Sequence, residues 1–255
     1  MPKQMTAAAP RRDGIQVVAR VADVLRALAS APDGLSLSEL AFAVGMPKST
    51  VHRLVSALEK EEFVTPARVG KIHLGRGVAR LGAATRDGLR DQMRPFLLRL
   101  HQKLEETVDL SVPDGQTARF IDHIPAPHRL RAVSAVGAAF PLHCTANGKA
   151  LLAAMPEEEL GAVLPARLAA HTPNTITARK ELWGELERVR AEGVAYDREE
   201  HTVGICAVGA VVEDPYGAAA AISVPVPAQR FVGNDAALAR ALLEVCAACS
   251  RALGG

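Results

Sequence analysis

The stretch GMPKSTVHRLVSALEKEEFV, residues 45–64, decides the fold of the first part of this chain. It predicts a helix, because Pro47 suits a first helical turn and the residues after it separate into two faces at helical spacing. The apolar face holds Val51, Leu54, Val55 and Leu58, and the opposite face holds Ser49, His52, Arg53, Ser56 and Lys60. A polar and basic outer face is typical of a helix that contacts a polyanion.

Two further helices are predicted before this one. Apolar residues recur at helical spacing over residues 17–28, and APDG at residues 31–34 stops that helix. SLSE at residues 36–39 is a capping box that opens a second helix, which closes near Gly45. Two short helices joined by a turn with glycine predict a helix-turn-helix, whose second helix enters the major groove of DNA.

A short hairpin is predicted after the third helix. Residues 63–65 and 71–74 favour two strands around a polar turn at residues 66–70. Arg68 and Lys71 lie in and beside this turn, so the hairpin is predicted to be a wing that touches the DNA backbone.

Seven residues are therefore candidates for DNA contact: Lys48, Ser49, Thr50, His52, Arg53, Arg68 and Lys71. Ser49 and Thr50 can donate hydroxyl hydrogen bonds to phosphate at the helix start, where the helix dipole also attracts an anion. His52 and Arg53 can reach base edges or phosphates. The alternative is that the three helices and the hairpin pack for stability alone and present a solvated charged face.

Composition and charge are compatible with such a module. The chain has 255 residues, 49% of them hydrophobic, which allows two domains of ordinary size. Residues 1–76 hold eleven basic and seven acidic residues, whereas the remainder holds 19 basic and 21 acidic ones. The first 14 residues contain no apolar run, no stretch is long enough to span a bilayer, and the four cysteines are scattered. We therefore expect a cytoplasmic protein with no membrane partner.

Five stretches of the chain resemble the IclR family of bacterial transcription regulators. Residues 45–64, with HLGRGVARLG at residues 73–82, resemble its DNA-binding segment. FPLHCTANGKALLA at residues 140–153, GVAYDREEHTVGICAVGAVV at residues 193–212 and AAISVPVP at residues 220–227 resemble three blocks of its effector-binding domain. The resemblance covers the chain from about residue 14 to its end.

The resemblance implies an α+β protein in three parts. Residues 14–76 would form a winged helix-turn-helix DNA-binding domain, residues 77–88 a linker helix, and residues 89–255 a GAF-like α/β effector-binding domain. It also implies a homodimer or homotetramer, a palindromic operator and a small-molecule effector. The expected function is transcription regulation, with repression relieved by the effector as the default.

Patterns in the second part are compatible with this fold. A short helix is predicted over residues 75–84, followed by a long helix with an apolar stripe at Leu89, Met93, Phe96, Leu97, Leu100 and Leu104. The stripe could pack on its own domain or on a second subunit, and dimerisation is favoured for at least residues 76–84. Strands are predicted at residues 108–112, 118–124, 130–136, 206–212 and 218–224, and helices at residues 147–154, 178–191 and 235–253. Together these predict a mixed sheet with helices.

An effector pocket is predicted around the start of one helix. Thr145 can cap a helix that begins at Ala146, so the backbone N–H groups near Asn147 would attract a carboxylate. By position in the family's pattern, the pocket would also include Asp197, Ala207 and Ser223. The alternatives are that Asp197 holds a loop, that Asn147 caps its own helix, and that His143 is a hydrogen-bonded structural histidine.

Three departures from the family's pattern bear on the effector. Asn147 stands where many relatives have a small or apolar residue, Ala207 where a cysteine is common, and Pro225 where some relatives have a second serine. The pocket should therefore differ from that of the simplest keto-acid sensors. We expect a larger organic acid, with an aromatic or heteroaromatic acid as the preferred class.

Two other functions compete with this interpretation. A hydrolase would need a nucleophile and a base, yet the adjacent His143 and Cys144 are predicted to point to opposite sides of an extended segment. A thiol-based redox sensor could use Cys246 and Cys249, although both lie on a predicted apolar helix and are expected in the core. We therefore expect no catalytic residues, no metal and no cofactor.

Overall fold

The computed structural model describes residues 13–66, 70–215 and 217–254. They form two compact units that divide between Thr85 and Arg86. The first unit contains α1 (Asp13–Ala29), β1 (Leu35–Ser36), α2 (Leu37–Ala43), α3 (Lys48–Lys60), β2 (Val64–Pro66) and β3 (Lys71–Leu74). The predicted division at residues 14–76, 77–88 and 89–255 stays a prediction.

The first unit is the predicted helix-turn-helix with its wing. The Ser36 hydroxyl accepts a hydrogen bond from the Glu39 N–H, and the Glu39 carboxylate accepts one from the Ser36 N–H at 2.7 Å, which confirms the capping box. Gly45, with φ of 62°, turns the chain toward α3. The three helices enclose a core in which Val24, Leu40 and Val51 are fully buried. The sheet order is β1-β3-β2, so β1 is a third strand that the sequence patterns did not indicate.

The chain continues from Gly75 into one long helix, α4 (Arg76–Leu104). Two separate helices were predicted here, and that prediction is wrong because no proline or turn interrupts the sequence between Ala84 and Leu89. Met93, Leu97 and Leu100 of the apolar stripe are fully buried in the core of the second unit. This part of the stripe therefore packs on its own domain, whereas Leu81 is exposed.

The second unit is built on a six-stranded sheet. Its strands are β4 (Val108–Asp114), β5 (Thr117–Ile124), β6 (Ala139–Pro141), β7 (Ala195–Arg198), β8 (Ile205–Asp214) and β9 (Gly217–Pro227). Its other helices are α5 (Ala146–Ala154), α6 (Glu157–Val163), α7 (Arg179–Glu192), α8 (Ala228–Phe231) and α9 (Asp235–Leu253). The strand order is β6-β5-β4-β9-β8-β7.

Every pairing in this sheet is antiparallel, so the predicted mixed sheet is corrected. Successive residues of a strand point to opposite sides of the sheet, so the sheet has two apolar faces. Helices cover both of them. Ile222 packs with α4 and α9 on one face, whereas Ala221 packs with α5 and α7 on the other. The chain is thus α+β, with an N-terminal winged helix-turn-helix and a C-terminal α/β domain, as predicted.

One predicted strand, at residues 130–136, is absent from the structure. This segment lies between β5 and β6 without strand pairing, and Leu130, Val133 and Val136 are 63%, 77% and 62% exposed. Hydrogen bonds from side chains hold its backbone instead. The Thr107 hydroxyl, for example, donates to the Ala132 carbonyl oxygen at 3.1 Å. The sequence patterns also missed β6, β7, α6 and α8, whereas α9 has the predicted bounds.

Among the described residues, none of the helices combines the length and the apolar character needed to cross a bilayer.

Candidate functional site

Two rows of residues that run across the sheet of the second unit form the floor of a cavity. Asp197, Ala207 and Pro225 lie side by side on β7, β8 and β9. The next row places Ser223 between Gly209 and Asp109. Since alternate residues of a strand share a face, these neighbours open toward one cavity of about 330 Å³.

The start of α5 lies directly against this floor. Thr145 is its N-cap, and the Thr145 hydroxyl oxygen accepts a hydrogen bond from the Gly148 N–H at 3.2 Å, which confirms the predicted cap. A Cβ atom added to Gly209 would lie 2.4 Å from the carbonyl carbon of Ala146, so only glycine permits this approach of helix and strand. The first backbone N–H groups of α5 are thereby held at the cavity.

Asn147 joins α5 to the sheet. Its side chain is 3% exposed, and its Nδ2 donates a hydrogen bond to the Ser111 hydroxyl on β4 at 2.8 Å. Asn147 also lines the cavity. It therefore positions the helix start and contributes to the cavity wall at the same time.

Aromatic side chains form one wall of the cavity. Phe120 and Phe140 meet edge to face with ring centroids 5.1 Å apart, and His201 stacks on Phe140 at 4.5 Å. Burial lowers the pKa of His201, so its ring is neutral at pH 7. Ile205 adds apolar surface, and the exposed cation Arg131 lies at the edge of the cavity.

A buried cluster of polar groups stands beside the Ser223 row. Asp109 accepts hydrogen bonds at 2.7 Å from the Ser134 hydroxyl and from Nδ1 of His123. The Ser134 oxygen also lies 3.0 Å from the same Nδ1. A catalytic serine would need the other ring nitrogen, Nε2, with Nδ1 left for the carboxylate. The cluster therefore holds the 130–136 segment over the cavity and does not resemble a hydrolytic triad.

Asp197 is a buried carboxyl group in the cavity. Burial raises its pKa to about 7, although its Oδ1 accepts a hydrogen bond from the Glu200 N–H at 2.7 Å. Near neutral pH this group is therefore present in both charged and neutral forms.

All six residues predicted for the effector pocket, Thr145, Ala146, Asn147, Asp197, Ala207 and Ser223, line this one cavity. That they bind an effector stays a prediction. Sequence reasoning missed other residues on its wall, among them Asp109, Phe120, Arg131, Ser134, Phe140 and His201. An acidic residue within the apolar strand residues 108–112 was a signal for Asp109, because a buried carboxylate needs partners.

The cysteines are placed as follows. Cys246 and Cys249 are buried on α9, as predicted, and burial raises the pKa of Cys249 to about 12 and that of Cys246 as well.

His143 and Cys144 lie in a turn before α5, and a ring nitrogen of His143 and the Cys144 Sγ lie within 4.8 Å of each other. The prediction that they point to opposite sides of an extended segment is therefore wrong. Burial raises the pKa of the Cys144 thiol to about 12, which leaves little nucleophilic thiolate at neutral pH.

The candidate DNA-binding surface lies on α3 and the wing of the first unit. Lys48, Ser49, His52 and Arg53 are exposed on α3, opposite the buried Val51. Thr50 and Lys71 are half-buried. Arg68 lies outside the described residues. Contact of these seven residues with DNA stays a prediction.

Most of the chain is similar to known proteins. A family model described as "IclR helix-turn-helix domain" matches residues 17–67. A second model, described as "Bacterial transcriptional regulator IclR C-terminal", matches residues 81–253.

Individual relatives are similar over nearly their full length. The chain is 53% identical over 234 residues to the HTH-type transcriptional regulator Rv1719 of Mycobacterium tuberculosis, covering 91% of this chain and 90% of that protein. It is 34% identical over 224 residues to the HTH-type transcriptional repressor AllR of Escherichia coli K12, covering 86% and 82%. The solved structure of Thermotoga maritima IclR has a TM-score of 0.64 and 30% identity, covering 94% of this chain and 100% of that one.

Proposed function

The chain belongs to the IclR family of bacterial transcriptional regulators, and on that premise we propose that a small organic acid, preferably aromatic, binds in the cavity and releases the protein from its operator. One observation carries this proposal. A helix start, an aromatic wall and a cation surround a single cavity in the C-terminal domain of the family.

The electrostatics of the cavity support an anionic ligand. The first N–H groups of α5 carry partial positive charge and have no partner within the helix, so they can bind a carboxylate. Arg131 adds a cation at the edge of the cavity. Of the two acidic side chains in the cavity, Asp109 is already engaged by hydrogen bonds from Ser134 and His123, and the raised pKa of Asp197 reduces its negative charge near pH 7.

The walls support an aromatic ligand. Phe140 and His201 stack on each other in the wall, and Ile205 and Pro225 supply apolar surface. A cavity of about 330 Å³ is at the lower end of the range for small-molecule sites, which favours a single-ring acid.

On the DNA side, we propose that the start of α3 binds operator phosphates through Lys48, Ser49 and Thr50. His52 and Arg53 would then face the bases, and Arg68 and Lys71 of the wing would reach the backbone. A palindromic operator requires two copies of this unit, which a homodimer or homotetramer supplies. Residues 14–76, 77–88 and 89–255 would serve as DNA-binding domain, linker and effector domain.

We assign the sign of regulation as repression relieved by ligand. AllR, 34% identical, is named a transcriptional repressor. The two sites lie in different units, so regulation requires a coupling free energy, which is typically 1–3 kcal/mol and changes operator affinity by about 5- to 150-fold. The protein would act in the cytoplasm, where operator DNA lies, without turning over its ligand.

The proposal is tested by fluorescence anisotropy with the full chain and labelled DNA from upstream of its own coding region. Benzoate should lower operator affinity by at least fivefold, while benzyl alcohol, which has the ring without the carboxylate, and pyruvate, which has the carboxylate without the ring, should act much more weakly. An equal response to benzoate and benzyl alcohol would contradict the anionic site. Tighter operator binding with benzoate would contradict repression relieved by ligand.

A further inference from the structure

A group of three metal-ligating side chains lies next to the effector cavity. His143 and Cys144 immediately precede the N-cap of α5, and His171 comes from the segment between α6 and α7. One nitrogen of each imidazole and the Cys144 Sγ all lie within 4.8 Å of one another. His143 and Cys144 are buried, whereas His171 is exposed.

The ring of His143 already makes the kind of hydrogen bond that orients a metal-binding histidine. Nε2 of His143 lies 2.9 Å from the Ala169 carbonyl oxygen. A nitrogen that faces a carbonyl oxygen carries the proton, so the lone pair of the neutral imidazole lies on Nδ1. Such a hydrogen bond from the second nitrogen fixes the tautomer and the ring orientation of a ligating histidine.

From this geometry we propose that His143, Cys144 and His171 bind a zinc-class transition-metal cation. Two imidazoles and one thiolate are a donor set that suits Zn²⁺, which prefers nitrogen and sulfur ligands in a tetrahedron. With metal–ligand bonds of about 2.0–2.3 Å, tetrahedral ligands lie roughly 3.5 Å apart. The ligand atoms, at most 4.8 Å apart, therefore need to approach by about 1.3 Å at most, which rotation of the exposed His171 side chain can provide.

Binding of the metal ion releases one proton. Cys144 must coordinate as the thiolate, so the S–H bond breaks, the sulfur donates its electron pair to the metal, and one proton leaves for solvent. No oxidant or reductant is involved. The fourth tetrahedral position is left for water or an external ligand.

Stacked rings connect the proposed metal site to the wall of the effector cavity. The His171 ring stacks on His201 with centroids 5.3 Å apart, and His201 stacks on Phe140, which lines the cavity. A bound metal would fix His171 and the turn before α5. We expect it to stabilise the cavity wall in one arrangement.

The test uses the purified full chain, freed of metal with a chelator and titrated with Co²⁺ in the absence of DNA and effector. Thiolate coordination gives Co²⁺ an intense ligand-to-metal charge-transfer band in the near ultraviolet. We expect this band to saturate at one equivalent per chain and to disappear when Zn²⁺ is added. A chain without a saturable band, and without Zn²⁺ uptake in calorimetry, would overturn the proposal.

Variants distinguish this site from metal bound elsewhere. His171→Ala changes an exposed side chain, so it should fold normally and bind Zn²⁺ at least tenfold more weakly. Cys144→Ser should lose the charge-transfer band. His52→Ala and Cys206→Ser, which lie outside the cluster, serve as matched controls and should retain both band and affinity. Unchanged Zn²⁺ affinity in His171→Ala would overturn the assignment even if Cys144→Ser failed to fold.

Discussion

The side chain of Asn147 serves both the fold and the proposed effector site. Its amide donates to Ser111, and Asn147 also lines the cavity. We expect Asn147→Leu to weaken effector binding by about 1–3 kcal/mol, because a polar partner of the ligand is lost from a buried site. Isothermal calorimetry with benzoate measures this loss, and effector-free operator affinity should stay nearly unchanged.

The matched control for Asn147→Leu is Ser111→Ala, which removes the internal partner of the amide while keeping the amide itself. It should retain most of the effector affinity. If Ser111→Ala lost as much affinity as Asn147→Leu, or if the folded Asn147→Leu protein bound benzoate as wild type does, Asn147 would have no direct contact with the ligand.

Arg53 is the corresponding test residue on α3. It is exposed on the face opposite Val51, so Arg53→Ala should weaken operator binding without unfolding the domain. If Arg53 contacts only phosphate, affinity should fall equally for all sequences and the salt dependence should flatten by about one unit of slope. If it reads a base, discrimination at one operator position should fall by roughly 1–3 kcal/mol. Anisotropy titrations at several salt concentrations separate these results, and wild-type affinity would remove Arg53 from the interface.

The pKa of Asp197 predicts how effector binding depends on pH. Burial raises this pKa to about 7, so the carboxyl group is mainly neutral below pH 7 and charged above it. Its negative charge would repel an anionic ligand in the cavity, so benzoate affinity should fall on the order of tenfold as pH rises from 6 to 8. The charges of Glu200 and Lys149 also influence the pKa of Asp197, and a hydrogen bond from the His201 backbone lowers it.

Asp197→Asn tests the assignment of this pH dependence. The amide oxygen can still accept the hydrogen bond from the Glu200 N–H, but the group no longer titrates. Calorimetry should therefore show an affinity for benzoate that is nearly constant between pH 6 and 8. A variant with the same pH dependence as wild type would assign the titration to another group.

At the scale of elements, the ion pairs of Lys149 link α5 to α7 and to the turn after β7. Its side chain is fully buried, and its Nζ donates to Glu185 at 3.0 Å and to Glu200 at 2.5 Å. Lys149→Met leaves the buried Glu200 carboxylate without its cation, whereas Glu185 keeps its ion pair with Arg188. We expect the free energy of unfolding to fall by about 3–5 kcal/mol. Urea denaturation measures this loss, with the exposed Lys180→Met on α7 as a control that should change it little. Similar stabilities for both variants would contradict the role of the buried ion pairs.

Which elements the sequence predicts depends on where their interactions lie. The helix at residues 235–253 is marked by its own apolar periodicity, and α9 has those bounds. The run at residues 130–136 is equally apolar, yet it is held by Thr107, just before β4, and by Asp109 on β4, and no local pattern contains that information. The cavity shows the same division, because Thr145 caps its helix locally whereas Asp109 meets Ser223 only through the register of β4 and β9.

At the scale of the whole molecule, the family assignment predicts an assembly of at least two chains. Leu81 on α4 and Val18 on α1 are 59% and 69% exposed, although both are large and apolar. We expect sedimentation to show a dimer or tetramer at micromolar concentration, and footprinting to show two related half-sites in the operator. Leu81→Asp should shift the assembly toward monomers, with the exposed Val203→Asp as a control. A wild-type monomer at that concentration, with and without DNA, would contradict the prediction.

The contact between Gly209 and Ala146 also constrains how this protein can evolve. A side chain at Gly209 would strike the backbone of α5, so no single substitution there can enlarge, shrink or recharge the floor of the cavity. Arg131 and Val133 lie in a segment that lacks strand pairing, and their exposed side chains are open to replacement at little cost to the sheet. Descendants of this gene that acquire new ligands should therefore accumulate their mutations in this covering segment, while the mode of anchoring at the helix start is inherited unchanged.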